Sequence, residues 1–165
     1  MEKIEIRRIV FTFDARRSRA GMLEALAGLA EQTQAELIGL FIEDVDLLRL
    51  AALPIAREIG YSSAARREFD LARMQRSLDA LADHLRRLCE ATLGDTAVPW
   101  SFRVARGSRA EHLLSAASEG HTPTLLVPAG TDPRASPVVV SLSELTEENS
   151  RELLESPQRP ILILP

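Results

Sequence analysis

The sequence predicts one α/β domain, a doubly wound parallel sheet of five strands with helices on both faces. Three observations predict it. Ile9, Val10, Phe11 and Phe13 form a short, nearly unbroken apolar run that ends at Asp14, and a strand covered on both faces reads as such a run rather than as an alternation. A helical pattern opens directly after it at Ser18, which makes this strand the start of a βαβ unit. The alternation of apolar runs with helical patterns then continues to Ile161–Leu164. In such folds ligands bind beyond the carboxyl ends of the strands, where the strand order reverses, so Asp14 is the first candidate site residue.

The 165 residues suffice for one domain with a sizeable core. With 45% hydrophobic and 27% charged residues the composition is that of an ordinary globular protein. A net charge of -4 argues against a generic nucleic-acid binder. One cysteine, Cys89, excludes an intrachain disulfide and a multi-cysteine metal site. The segment MEKIEIRR has no apolar signal core, and no apolar run approaches the ~18 residues of a membrane span. No membrane contact and a cytoplasmic location are the expectation.

The first helix runs from a cap at Ser18 to about Thr33, with Met22, Leu23, Leu26, Leu29 and Ala30 at helical spacing. Ala35–Asp44 is a second dense apolar run closed by acids, hence the second strand. Residues 46–63 hold Leu47, Leu48, Leu50, Leu53, Ile55 and Ile59, with Pro54 breaking any single helix. They read as short helices in a flap over the sheet edge, or as an exposed surface for a protein partner. Ala64–Leu93 is the longest helix. Leu71, Met74, Leu78, Leu81, Leu85 and Leu88 step by three and four, as in a helix laid on a sheet or a coiled coil. Gly94 stops it in the manner of a C′ glycine.

Val98–Ala105 is the third strand; Gly107 follows, and Ser108 with Glu111 has capping-box spacing for a helix to about Ser118. Pro123–Val127 gives the fourth strand, closed by Pro128. Residues 130–137 form a loop by composition, Val138–Val140 is a short extended piece, and Ser143 opens a last helix to about Glu155. Ile161–Leu164, between Pro160 and Pro165, is the final strand. No linker divides the chain, so residues 1–165 are one domain.

In order and spacing these elements resemble the universal stress protein family over nearly the whole chain. The carrying stretches are IVFTFD with Ser18, AELIGLFIED, FRVARGSRAEHLLSAA, TLLVPAG and SPQRPILILP. The resemblance implies a strand order of 3-2-1-4-5 and commonly a dimer. Many members bind ATP through a pattern G-x2-G-x9-G-[ST] after the fourth strand, where glycines let amides approach phosphates and a helix N-terminus adds partial positive charge. Matched by position, Asp14 takes the ribose-contacting place, Ile42 falls near the adenine, and Gly107 is the glycine after the third strand. The phosphate loop does not match. After Gly130 there is no further glycine, and Pro128, Pro133 and Pro137 remove amide donors. Asn149-Ser150 lies near the final Gly-Ser place, and Glu144, Glu147 and Glu148 would repel a triphosphate. Asp14 has a structural alternative, capping the turn before the first helix.

The sequence therefore reads as a non-catalytic domain of universal stress type, acting through dimerisation and partner or small-ligand binding, without a cofactor and without family-type ATP binding. The residual cleft residues are Asp14, Ile42, Gly107 and Gly130. A second reading is an adenine-nucleotide sensor using the cleft near Asp14. A nucleotide hydrolase is the weakest reading, because no nucleophile, phosphate or dinucleotide motif is present, and His84, His112 and His121 show no ligand spacing. Family strand order places the last strand at an edge, so the expected homodimer interface is Ile161, Leu162, Ile163 and Leu164, with the leucine-rich segment Leu47–Ile59 as the competing surface.

Overall fold

The structure is a computed structural model that describes residues 3–13, 20–43, 63–155 and 157–165. In chain order the elements are β1 (Arg8–Thr12), α1 (Ala20–Thr33), β2 (Glu36–Glu43), α2 (Ser63–Leu93), β3 (Trp100–Arg106), α3 (Arg109–Ser118), β4 (Thr124–Val127), β5 (Val138–Ser141), α4 (Glu147–Glu155) and β6 (Ile161–Leu164). Short 3₁₀ turns follow α3 and β5.

They form the expected α/β class: a sheet in the order β3-β2-β1-β4-β6-β5 with helices packed on both faces. β3, β2, β1 and β4 are mutually parallel. The far end departs from the expectation. There are six strands, and β6 pairs antiparallel with β4 while β5 lies parallel along the outer side of β6. The extended piece Val138–Val140 is thus a sheet strand, as a β-branched run favours. Consequently Ile161–Leu164 is not an edge strand: both of its sides are paired, and Ile161, Leu162 and Ile163 are buried. The expected dimer interface through its backbone is corrected accordingly. A four-residue run of unbroken apolar character fits an interior strand better than an edge, because both faces must be covered.

One face of the sheet carries Ile9, Phe11, Leu37, Leu125, Val127 and Leu162 against α1 (Leu23, Leu26, Ala30) and the end of α2 (Cys89, Leu93). The other carries Val10, Ile38, Leu40, Leu126, Ile161 and Ile163 against α3 (Leu113, Ala116, Ala117) and Leu154 of α4. Alternation along each strand sorts these residues between the faces. β1 is buried at every position, as a central strand requires. The leucine stripe of α2 is a helix-on-sheet stripe, with Leu78, Leu81 and Leu85 lying against Phe13, Phe41 and Phe102. Cys89 is a buried filler in the cluster that α1 and the end of α2 form on the sheet; burial pushes its thiol up to about 11, which leaves it protonated and inert.

Gly39 in β2 faces Phe11 across the ladder. A Cβ there would lie 3.0 Å from Phe11 Cζ and 3.1 Å from Phe13 Cε2. Phe11 meets Phe13 edge-on at 5.1 Å, and Phe13 meets Phe102 at 5.7 Å, so the rings cannot move aside independently. We expect Gly39→Val to cost about 1–3 kcal/mol through overpacking, measured by urea denaturation. A neutral or stabilising result would show that the aromatic slab yields.

Three helix ends differ from the sequence reading. Gly94 has no positive φ; its place is set by close approach, since a Cβ would lie 2.5 Å from the Glu90 carbonyl oxygen. Ser108 precedes α3 without a side-chain cap bond, so the capping box with Glu111 is not made. The last helix starts at Glu147 rather than Ser143. Its cap is Thr146, whose amide donates to Asn149 Oδ1 at 2.7 Å while the Asn149 amide donates to Thr146 Oγ1 at 3.3 Å.

Candidate functional site

Because β1 to β4 run the same way, their carboxyl ends gather at one end of the sheet, the end where α/β folds bind ligands. Ile42, Gly107 and Gly130 are brought to that end. Ile42 is half-buried near the end of β2, beside Ala105 in the register. Gly107 follows β3 with φ 132 and donates its amide to the Glu43 carbonyl at 3.2 Å. Gly130 follows β4 with φ 86 and is exposed. Both glycines occupy backbone conformations that other residues rarely adopt. Asp14 and Ser18, like the leucine-rich segment Leu47–Ile59, lie outside the described residues.

The loop after β4 is folded onto the end of β1. The Ala129 amide donates to Thr12 Oγ1 at 2.9 Å, and Thr12 is buried. Thr131, also buried, returns its hydroxyl to the Pro128 carbonyl at 2.7 Å and its amide to the same carbonyl at 3.1 Å. The Arg134 amide donates to Asp132 Oδ1 at 2.9 Å. Further on, Asn149 is committed to the α4 cap, and Ser150 is buried with its hydroxyl on the Glu147 carbonyl. The amides of Ala129, Thr131 and Arg134 and the side chains of Asn149 and Ser150 are thus already bonded within the chain. Glu144, Glu147 and Glu148 are exposed just beyond β5.

Sequence reasoning missed a second set of residues at this end. Glu43, the last residue of β2, has a side chain only 2% exposed, and its Oε2 accepts from Arg106 Nε at 2.7 Å. Desolvating a carboxylate is costly unless it is paired, and Arg106 supplies the pair from the neighbouring strand end. His112 lies over Gly107, with Nε2 at 2.6 Å from the Arg106 carbonyl oxygen; a Cβ on Gly107 would come within 3.1 Å of that ring nitrogen. Only the acids closing the second apolar run hinted at Glu43. Among the described residues no group of three or more His, Cys, Asp or Glu could hold a metal ion, and no helix is long and apolar enough to cross a membrane. A polar groove of about 360 Å³ lies between residues 3–7 and 31–34, at the opposite end of the sheet.

The strand order and the helices on both faces define a doubly wound α/β protein in which the loop after β4 is bonded onto the end of β1. Compared with solved structures, the chain has the universal stress protein fold. It is similar to UspA from Lactobacillus plantarum, a universal stress protein, at 14% identity and TM-score 0.53, over 99% of this chain and 100% of that one. It is similar as well to MJ0577, described as a hypothetical protein assigned a biochemical function from its structure, at 11% identity and TM-score 0.55, over 98% and 96%. No model of a known protein family matches the sequence, and no curated protein does.

Proposed function

We propose that this chain is a non-catalytic universal-stress-type domain. It acts in stress response by pairing with itself and by contacting a protein or small-ligand partner, without the ATP-binding mode that the family resemblance implies. The observation that carries the reading is the Ala129 amide bonded to Thr12 Oγ1. An amide after β4 is what a phosphate needs, and here a buried hydroxyl holds it. Pro128, Pro133 and Pro137 lack the donor altogether. Three exposed glutamates beyond β5 add repulsion.

The test is calorimetry and thermal denaturation with ATP, AMP and cyclic nucleotides in magnesium buffer. A site that binds one of them would stabilise the fold by about 2.7 kcal/mol at a hundredfold excess over its Kd. We expect no measurable heat and no shift in Tm with any of them. Replacing residues 128–137 with a glycine-containing loop and neutralising Glu144, Glu147 and Glu148 is expected to move affinity upward. Clear micromolar binding by the unaltered chain would instead establish the sensor reading, with Ile42 and Gly107 lining the cleft beside Asp14.

A further inference from the structure

β3 lies at one end of the strand order, and no described residue pairs with its outer side. It runs for 7 residues without a proline, whereas unpaired edges are commonly kept short or interrupted. The Leu37 amide donates to the Pro99 carbonyl at 2.8 Å, and the Gly107 amide donates to the Glu43 carbonyl at 3.2 Å. The odd-numbered residues of β3 thus turn their backbone groups towards β2. By the alternation of a strand, Trp100, Phe102, Val104 and Arg106 turn theirs outward. A row of amides and carbonyls is left there for an incoming strand.

The side chains along this row are basic with one apolar step. Val104 is 43% exposed. Arg103 and Arg106 are the only charged residues of β3, and the acid that balances Arg106 lies inboard: the Glu43 side chain is 2% exposed and that of Arg106 is 60% exposed. Arg106 reaches Glu43 through Nε, and Arg103 reaches Glu119 through Nη1. A guanidinium has several further N–H donors in a fixed fork, so each arginine keeps donors for a second carboxylate. Just past the strand, exposed Arg109 has no ion-pair partner among the described residues.

We propose that this edge takes an extended acidic segment of a partner protein as an added antiparallel strand. The inference names the partner of the function proposed above and rests on that reading. Val104 and Arg106 lie on one face of the strand and Arg103 on the other. An antiparallel segment that answers them reads acid, any residue, β-branched, acid, with the acids opposite Arg106 and Arg103 and the β-branched residue beside Val104. The two carboxylates make charge-assisted hydrogen bonds, and the outward backbone row supplies the ladder. Glu43 and Glu119 already hold the arginines in place, which lowers the cost of ordering them on binding. The arginines turn away strands that do not answer them. A second copy of β3 would set arginines against arginines, and a nucleic acid would meet a chain of net charge -4 and leave the backbone row unused.

The probe is a labelled peptide as long as β3, threonine throughout except for glutamate at its first and fourth positions and valine at its third, followed by fluorescence anisotropy. Binding is expected, and it should fall about tenfold when glutamine replaces both glutamates. Arg103→Ala should weaken it similarly, with Glu119 still held by Arg8. Val104→Pro removes an outward amide that β2 does not use, so it is expected to abolish binding at a nearly unchanged Tm. Hydrogen exchange in the complex should newly protect the amides of Phe102, Val104 and Arg106, while those of Arg103 and Ala105, which face β2, change little. No binding at about 1 mM peptide, equal binding of the glutamine peptide, or binding that survives Val104→Pro overturns the proposal. Each of these outcomes strikes the edge site alone; the nucleotide-free reading above falls only to nucleotide binding in the calorimetry.

Discussion

Phe11→Asp is expected to abolish folding. Phe11 is 1% exposed at the centre of β1, between β2 and β4. Its ring touches Phe13 and lies over Gly39. Losing an aromatic ring from such a place costs about 3–5 kcal/mol. A carboxylate in its stead has no cation among the apolar residues of this cluster, so it either stays charged at a cost of several kcal/mol or is protonated by a raised pKa. The sum is comparable to the whole stability of a domain, about 5–15 kcal/mol. Phe11→Leu serves as the control, since it keeps an apolar side chain and removes only the ring. The measurement is soluble yield followed by a thermal melt read by circular dichroism. A soluble Phe11→Asp protein that melts cooperatively near the wild-type temperature would contradict the burial of β1 on both faces.

The ease of reading β1 and the difficulty of reading the far end of the sheet share one physical cause. A strand buried on both faces must be apolar at successive positions, and Ile9–Phe11 and Ile161–Ile163 both announce this in the sequence. What periodicity does not carry is direction or neighbour order. The same ILIL pattern serves a parallel edge strand or an antiparallel interior one, and only the pairing of Val138–Ser141 with β6 decides between them. The candidate site divides in the same way. Gly107 and Gly130 were legible because positive φ selects glycine. Thr12 was not, because a threonine closing a strand looks the same whether its hydroxyl meets water or the Ala129 amide. Glu43 and Arg106 are 63 positions apart, and their pairing exists only once β2 and β3 are in register.

Arg8 is the sharpest case of what sequence patterning hides, and its removal should be the second most damaging change. In the stretch IRRIVFTFD, Arg7 and Arg8 look alike, yet the Arg8 side chain is only 8% exposed and that of Arg7 is 56% exposed. Arg8 Nε donates to Glu36 Oε1 at 2.8 Å, and its terminal nitrogens reach the Ala116 carbonyl at 2.8 Å, the Glu119 carbonyl at 2.7 Å and Glu119 Oε2 at 3.0 Å. One guanidinium thus ties the start of β1 to β2 and to the end of α3, where a cation also suits the helix dipole. Arg103 holds the same Glu119 carboxylate from β3 at 2.9 Å. Arg8→Ala leaves the buried Ala116 carbonyl unmatched, and we expect a loss of about 2–4 kcal/mol in urea denaturation at neutral pH. Arg8→Lys should recover only part of this, because an ammonium cannot reproduce the fork. The pH dependence gives an independent reading. Hydrogen bonding from Arg103 first, and then from Arg8, holds the Glu119 carboxyl below its ordinary pKa. A depressed pKa contributes stability above the unfolded value that is lost as pH falls through the folded one. Arg8→Ala should therefore flatten the acid limb of the stability profile without removing it, since Arg103 remains. A loss under about 1 kcal/mol, or an unchanged acid limb, would show that water replaces Arg8 at the base of the sheet and that the clamp contributes little.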